Sequence, residues 1–150
     1  MKRLIAFIPL LFLTPTLFAQ SGKKVSWNYS AKKIEGNEYE ICLSATIQPG
    51  WHMYSQNQSS DAIALPTKIT FTKNPLVTLQ GNTTEKGKLL DEYEKATASR
   101  SKYYQGKVDF IQKIKLKGSA KTSVSGEIEF MVCDDKQCLP PEKVKFSIKL

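Results

Sequence analysis

The chain has 150 residues, of which 41% are hydrophobic and 24% are charged. This length and composition indicate one globular domain and exclude a disordered tail, a collagen-like repeat and a coiled coil. Basic residues outnumber acidic ones by 22 to 14, but they are spread along the chain as on the solvent faces of strands, so no nucleic-acid partner is expected. Three cysteines and one histidine offer few groups for metal or acid–base chemistry.

The N-terminus has the layout of a secretory signal. Residues 1–3 give a basic start, residues 4–13 form an apolar run, and small Ala19 precedes a polar segment. The run is shorter than the roughly 20 residues that a membrane-spanning helix needs. We therefore predict a signal peptide over residues 1–19, cleaved after Ala19 or Gln20, and an exported mature chain that is soluble. The alternative is an uncleaved membrane anchor, which is disfavoured by the helix-breaking Pro9 within the apolar run and Pro15 after it.

Apolar residues occupy every second position in several short segments of the mature chain, which predicts β-strands. These segments cover residues 39–47, 68–72, 108–116, 124–132 and 144–150. Adjacent Phe110 and Ile111 break the alternation and predict a bulge. Residues 81–105 have few apolar side chains and predict a long loop. With no sustained helical period, we expect seven or eight strands and an all-β, immunoglobulin-like β-sandwich over residues 20–150.

Two cysteines lie close together near the C-terminus. Four polar residues separate Cys133 from Cys138 between two apolar segments, which is the layout of a hairpin turn that brings two Cβ atoms within disulfide distance. In the chain-entropy model so small a loop stabilises a fold by only roughly 2 kcal/mol. Exposed and strained disulfides are also the easier ones to reduce. The pair therefore favours a redox function, and a structural bridge in an oxidising compartment stays open.

The third cysteine, Cys42, is out of phase with its apolar neighbours and is expected to be a packing residue, with intermolecular pairing left open. Together with Cys133, Cys138 and His52 it would make a four-ligand set for a soft metal. Nothing in the sequence brings Cys42 or His52 to the cysteine hairpin. No metal ligand and no other cofactor is therefore assigned.

Three segments resemble, in the same order, the N-terminal periplasmic domain of the thiol:disulfide interchange protein DsbD. Residues 49–56 look like its Gly-aromatic-x-x-Tyr segment, and residues 91–93 resemble its Asp-Glu-Phe cap segment. Residues 133–142 resemble its cysteine hairpin, which ends in Cys, an aliphatic or aromatic residue, and Pro-Pro-Glu. The likeness spans roughly residues 25–150. The cysteines here are separated by four residues, where the best-known members have five.

The resemblance implies a sandwich that receives reducing equivalents from a membrane-linked thioredoxin-like partner and passes them to periplasmic oxidoreductases, as a protein-disulfide reductase would. A separate chain is expected to supply the membrane electron conduit. By position it implies seven site residues: the redox pair Cys133 and Cys138, the neighbouring acids Asp91 and Glu92, the aromatic lid Tyr93, and the lining residues His52 and Tyr54. It favours Cys138 as the sulfur attacked first, and one of the acids as the acceptor of the thiol proton.

Two other function classes stay open at the level of sequence. The first is a non-catalytic binding module with a structural hairpin disulfide, for which a reduction potential below about −300 mV is expected. The second is a metal-handling protein, which would bind Zn or Cu(I) through the reduced cysteines.

Overall fold

The computed structural model describes residues 23–95, 98–118 and 121–150, so the predicted signal peptide lies outside the described residues. Within these ranges the chain forms nine strands, one more than the upper expectation. They are β1 (Val25–Glu35), β2 (Glu38–Ile47), β3 (His52–Tyr54), β4 (Lys68–Phe71), β5 (Val77–Glu94), β6 (Ser99–Leu116), β7 (Ser123–Phe130), β8 (Val132–Cys133) and β9 (Glu142–Lys149). Across the described part of the chain, no helix is long and apolar enough to cross a membrane.

The strands form two antiparallel sheets. The larger sheet has the order β1-β2-β6-β3-β8, with β5 paired to the other side of β6, and the smaller sheet has the order β4-β7-β9. Alternate side chains of each sheet meet in one apolar core, which is how strands of period two bury one face. The predicted all-β, immunoglobulin-like sandwich is confirmed.

The alternating segments form strands where the pattern is regular. In β2, Ile41, Leu43 and Ala45 are completely buried, whereas Cys42 lies on the opposite face. In β7, Gly126 occupies a core position because a Cβ there would overlap the carbonyl oxygen of Thr70 and lie within 2.6 Å of the Phe146 ring. The Phe146 ring of the neighbouring strand β9 can therefore lie against β7 at this point because the residue has no side chain.

The bulge predicted at Phe110 and Ile111 is wrong. β6 pairs with β2 without interruption from Lys115 to Lys107, and Phe110 faces the core while Ile111 faces away. The next core position belongs to Gln112, which is 2% exposed and donates hydrogen bonds to the carbonyls of Gln80 and Gly81. A buried polar side chain therefore hid the alternation, and the irregularity lies in β5, between Gln80 and Thr84.

The long loop predicted over residues 81–105 is also wrong, because this segment forms most of a β-hairpin. β5 and β6 pair from Val77 and Leu116 at one end to Glu94 and Ser99 at the other. Most β5 side chains in this segment are exposed or only partly buried, so no apolar alternation marks the strand. The hairpin tip reaches the region of the cysteines.

The pairing of β6 with two successive strands positions the site. β2 ends at a turn in which Gly50 has a positive φ of 80°, and β3 then resumes pairing with β6 at Tyr103 and Tyr104. The change of partner coincides with Gly106, whose φ of 72° places it in the left-handed region. The other edge of β3 pairs with β8, so that His52 lies opposite Cys133.

Candidate functional site

The predicted disulfide between Cys133 and Cys138 is present and closes a short turn. The backbone N–H of Asp134 donates to the carbonyl of Gln137 at 2.9 Å. The Asp134 carboxylate accepts hydrogen bonds from the N–H groups of Lys136 and Gln137, each at 2.8 Å. These bonds, the one from Lys136 foremost, hold the pKa of Asp134 below its usual value. The turn is thus fixed by its own polar groups, as in an Asx turn.

The two sulfur-bearing residues differ in their access to solvent. Cys133 is 2% exposed at the end of β8, whereas Cys138 is exposed. Cys138 borders an open cavity of about 530 Å³, which His52, Glu92 and Tyr93 also line. An incoming thiolate can therefore reach Cys138 from the cavity, whereas protein atoms shield Cys133.

Two side chains of β3 connect the cavity to the buried sulfur. The Tyr54 hydroxyl donates a hydrogen bond to Cys133 Sγ at 3.3 Å, and His52 Nε2 lies 3.3 Å from the same hydroxyl. Burial raises the pKa of Tyr54, so this hydroxyl keeps its proton at neutral pH. Burial also lowers the pKa of His52, against the opposing effect of nearby carboxylates, so the imidazole is largely neutral at pH 7.

Tyr103 completes the aromatic lining of the site and was not assigned a role from the sequence. Its ring centroid lies 4.6 Å from that of His52, and its hydroxyl hydrogen-bonds Glu92. Burial, followed by this hydrogen bond, raises the pKa of Tyr103 to about 12. The paired tyrosines at positions 103 and 104 in an otherwise polar stretch are the signal that a strand, and a buried contact, lies there.

The comparisons with known proteins give a clear family. The family model described as "Thiol:disulfide interchange protein DsbD, N-terminal" matches residues 21–150. The chain belongs to this family. Membership supports a thiol–disulfide exchange domain. No curated protein sequence matches the chain significantly.

Two solved structures share the fold of this DsbD N-terminal family member. The N-terminal periplasmic domain of ScsB from Proteus mirabilis aligns with a TM-score of 0.58 at 16% identity, covering 89% of this chain and 49% of that one. The chain thus spans about half the length of that relative. The reduced N-terminal domain of DsbD from Neisseria meningitidis aligns with a TM-score of 0.52 at 15% identity, covering 75% of this chain and 78% of that one.

The acidic and aromatic residues that the family resemblance assigns lie near the tip of the β5–β6 hairpin. Glu92 and Tyr93 line the cavity with Cys138, and Tyr93 is 56% exposed there. The Asp91 carboxylate instead accepts a hydrogen bond from Arg100 Nε at 2.6 Å, and Asp91 is not among the residues that line the cavity. The roles of these residues as proton acceptors and lid stay predictions.

Cys42 does not join the disulfide site. It lies on β2, which pairs with β1 and β6, and its sulfur is 3.5 Å from Ser44 Oγ. The structure does bring His52 to the cysteine hairpin, as the family resemblance implies and as the residue pattern by itself did not predict. Within the described ranges, no group of three or more histidine, cysteine or acidic residues could hold a metal ion.

Proposed function

We propose that this domain carries reducing equivalents between a thioredoxin-like donor and exported disulfide oxidoreductases, using Cys133 and Cys138 as the exchanging pair. Family membership supports thiol–disulfide exchange in general. The observation that carries the proposal for this chain is the unequal exposure of the pair, with Cys138 open to the cavity and Cys133 buried. This arrangement favours attack at one sulfur and holds the other as the leaving group.

The reductive step is a two-electron exchange. A thiolate of the donor attacks Cys138 Sγ, the bond between Cys138 and Cys133 breaks, and Cys133 leaves as a thiolate. The hydrogen bond from the Tyr54 hydroxyl lies in place to stabilise that negative charge. The second thiol of the donor then attacks the donor sulfur of the mixed disulfide, which releases Cys138. The donor ends as a disulfide and this domain as a dithiol.

Exposed apolar side chains beside Cys138 support a protein partner. Ile63, which is 70% exposed, and Tyr93 both line the cavity, and Leu65 is exposed close by in the sequence. Desolvation of such side chains on docking is a favourable contribution to association. We propose that Tyr93 shields Cys138 from small thiols until the partner displaces its ring.

We further propose that the domain works in the periplasm after removal of residues 1–19, and that another chain supplies the membrane electron conduit. The basic and apolar N-terminal pattern supports the signal peptide. Mass spectrometry of the secreted protein should find a mature N-terminus at Gln20 or Ser21, and retention of residues 1–19 would contradict this part of the proposal.

Trapping of mixed disulfides tests the exchange. In a Cys42→Ser background, which removes the free thiol, Cys133→Ala leaves the accessible Cys138 and should accumulate a mixed disulfide with a thioredoxin-like protein. Cys138→Ala leaves only the buried Cys133 and should accumulate much less, so it is the matched control. Absence of a trapped species from Cys133→Ala, or equal trapping by both variants, would contradict the proposal.

A disulfide with a purely structural role would have a lower reduction potential than one that cycles. The reduction potential, measured by equilibration with glutathione, should lie above about −300 mV if the pair cycles. A more negative value would favour the binding module with a structural disulfide.

A further inference from the structure

The thiol proton of the buried Cys133 needs an acceptor if, as in the proposed exchange function on which this inference rests, the pair cycles between dithiol and disulfide. When the reduced pair closes again, the Cys133 thiol must lose its proton before its sulfur can attack. Cys133 is 2% exposed, so bulk water and buffer have little access to that proton. A protein group must therefore receive it.

The geometry offers one route out. Among the described residues, Tyr54 is the side chain found hydrogen-bonded to Cys133 Sγ, at 3.3 Å. Its hydroxyl can donate one hydrogen bond and accept others, so it can pass a proton on without changing its own charge. On its far side lies His52 Nε2, again at 3.3 Å, on a ring that lines the open cavity. The chain from Cys133 through Tyr54 to His52 thus connects the buried sulfur to solvent.

Three of the four nearby carboxylates already have other partners, and the fourth, Asp135, is exposed on the cysteine turn and lies outside the hydrogen-bonded chain from Cys133 through Tyr54 to His52. Asp91 is paired with Arg100, Glu92 is hydrogen-bonded to Tyr103, and Asp134 accepts two backbone N–H groups of its own turn. Each of these carboxylates would have to give up an existing interaction to take the proton of Cys133. His52 Nε2 needs only the tautomer that carries its hydrogen on Nδ1.

We propose that His52 accepts, through the Tyr54 hydroxyl, the proton that Cys133 releases when it attacks a mixed disulfide at Cys138. Cys133 gives its proton to the Tyr54 oxygen as that hydroxyl gives its own proton to His52 Nε2. The Cys133 sulfur bonds to Cys138 Sγ, the bond from Cys138 to the partner sulfur breaks, and the partner leaves as a thiolate. His52, now an imidazolium, then returns its proton to solvent or to the departing thiolate. His52 acts through Tyr54 and is therefore a positioning residue for this step.

The charges around His52 bear on its proton affinity. Glu92 from β5 and Asp134 and Asp135 from the cysteine turn favour the imidazolium, whereas burial between Tyr54 and Tyr103 disfavours it. Below its pKa the imidazole is already protonated and cannot accept, so the closure rate should fall steeply in acid. Between the pKa of His52 and that of the Cys133 thiol the parental rate should therefore vary little with pH, whereas a protein without this acceptor should slow as the thiolate fraction falls.

Closure of a glutathione mixed disulfide measures the step without any protein partner. Reduced protein in the Cys42→Ser background is mixed with excess oxidised glutathione, and acid-quenched samples are resolved by mass spectrometry from pH 5 to pH 9. A thiol of pKa about 8.5 is only about 3% thiolate at pH 7, so an internal acceptor can accelerate closure by at least about tenfold. His52→Phe keeps the ring contacts and removes both nitrogens, and Tyr54→Phe keeps the ring and removes the relay.

We expect each variant to close roughly tenfold more slowly than the parent at pH 7, and its rate to follow the thiolate fraction of Cys133 over the whole acid range instead of levelling off above the pKa of His52. The double variant should be no slower than either single one, because the two groups act in series. Closure by His52→Phe at the parental rate and pH profile, or additive losses in the double variant, would overturn the inference. Thermal unfolding of the oxidised variants identifies any that fail to fold, and the Tyr54→Phe comparison then decides alone.

The single histidine of the chain provides a second readout. In the reduced protein the NMR chemical shift of the His52 ring protons should change first at the pKa of the imidazole and a second time at the pH where Cys133 ionises. Tyr54→Phe should remove that second change. Identical His52 titrations in the reduced parent and in reduced Tyr54→Phe would overturn the inference. Because no protein partner enters either experiment, failure to trap a thioredoxin-like donor would count against the proposed function and leave this step intact.

Discussion

Glu85 of β5 supports the strand that carries His52 and Tyr54. Its Oε2 accepts hydrogen bonds from Ser55 Oγ at 2.6 Å and from the Tyr104 hydroxyl at 2.9 Å, and its Oε1 accepts one from the backbone N–H of Gln56 at 2.6 Å. Ser55 and Gln56 directly follow β3, so two of these bonds attach the end of that strand to β5, and the third joins β5 to β6. Burial and the bond to Glu85 raise the pKa of Tyr104 far above its usual value.

Glu85→Gln should therefore destabilise the fold. An amide nitrogen cannot accept, so at least one of the three donors loses its partner, at a cost of about 1–3 kcal/mol. The bonds that remain change from charged to neutral, which removes about 1 kcal/mol each in a fully buried site. Because Glu85 is partly exposed, we take the lower end of each range and expect a loss of about 2 kcal/mol.

Urea unfolding of the disulfide-bonded protein at pH 7 measures this loss as a change in midpoint at constant slope. Glu127→Gln is the matched control, since the Glu127 carboxylate forms an ion pair with Lys143 at 3.6 Å on a partly exposed strand and should change stability by at most about 1 kcal/mol. If Glu85→Gln unfolds with the same midpoint as Glu127→Gln, the hydrogen bonds of Glu85 do not stabilise β3 and the β5–β6 hairpin in the way described.

Three further outcomes follow from particular contacts. Gly126→Ala should lower the free energy of unfolding by about 2 kcal/mol or more, because the added methyl group overpacks the core. Ser125→Ala on the same strand is the control and should change this free energy by less than about 0.5 kcal/mol. Equal urea midpoints for the two variants would contradict the packing described. Stability should fall as pH rises from about 10 to about 12, because folded Tyr103 and Tyr104 keep protons that the unfolded chain loses, and Tyr103→Phe should reduce this fall in unfolding experiments. Tyr93→Ala should speed reduction of the disulfide by dithiothreitol, whereas Leu89→Ala, at an exposed position on the same strand, should not. Similar reduction rates for the parent and both variants would contradict the role of Tyr93 as a lid.

The sequence predicted the fold wherever one face of a strand is apolar. Ile41, Leu43 and Ala45 show the alternation plainly, and the turn that follows them carries proline and glycine. The prediction failed where a strand has no continuous apolar face. Residues 81–105 belong to a hairpin with little apolar surface to bury, and Gln112 fills a core position because four polar partners satisfy its amide group. No pattern of neighbouring residues indicates that groups distant in the sequence will hydrogen-bond a buried amide.

The cysteine pair was predictable because its geometry is local to six residues. The contact of His52 with Cys133 was not, since it depends on β3 pairing with β8 across about 80 residues of sequence, a non-local register that single-sequence patterns do not specify. The family resemblance supplied His52 and Tyr54 as lining residues, but it supplied neither their order from cavity to sulfur nor the ring of Tyr103. These features arise only when the strands are assembled.

Gly106 lies where β6 passes from pairing with β2 to pairing with β3. Three residues of β6, 105 to 107, stand against the single residue Lys88 of β5, and the left-handed φ of Gly106 absorbs the surplus. A side chain there would disfavour this angle by roughly 1–2 kcal/mol. One achiral residue in the middle of a long strand therefore accommodates the change of partner after which Tyr103 pairs with β3 and its ring lies beside that of His52.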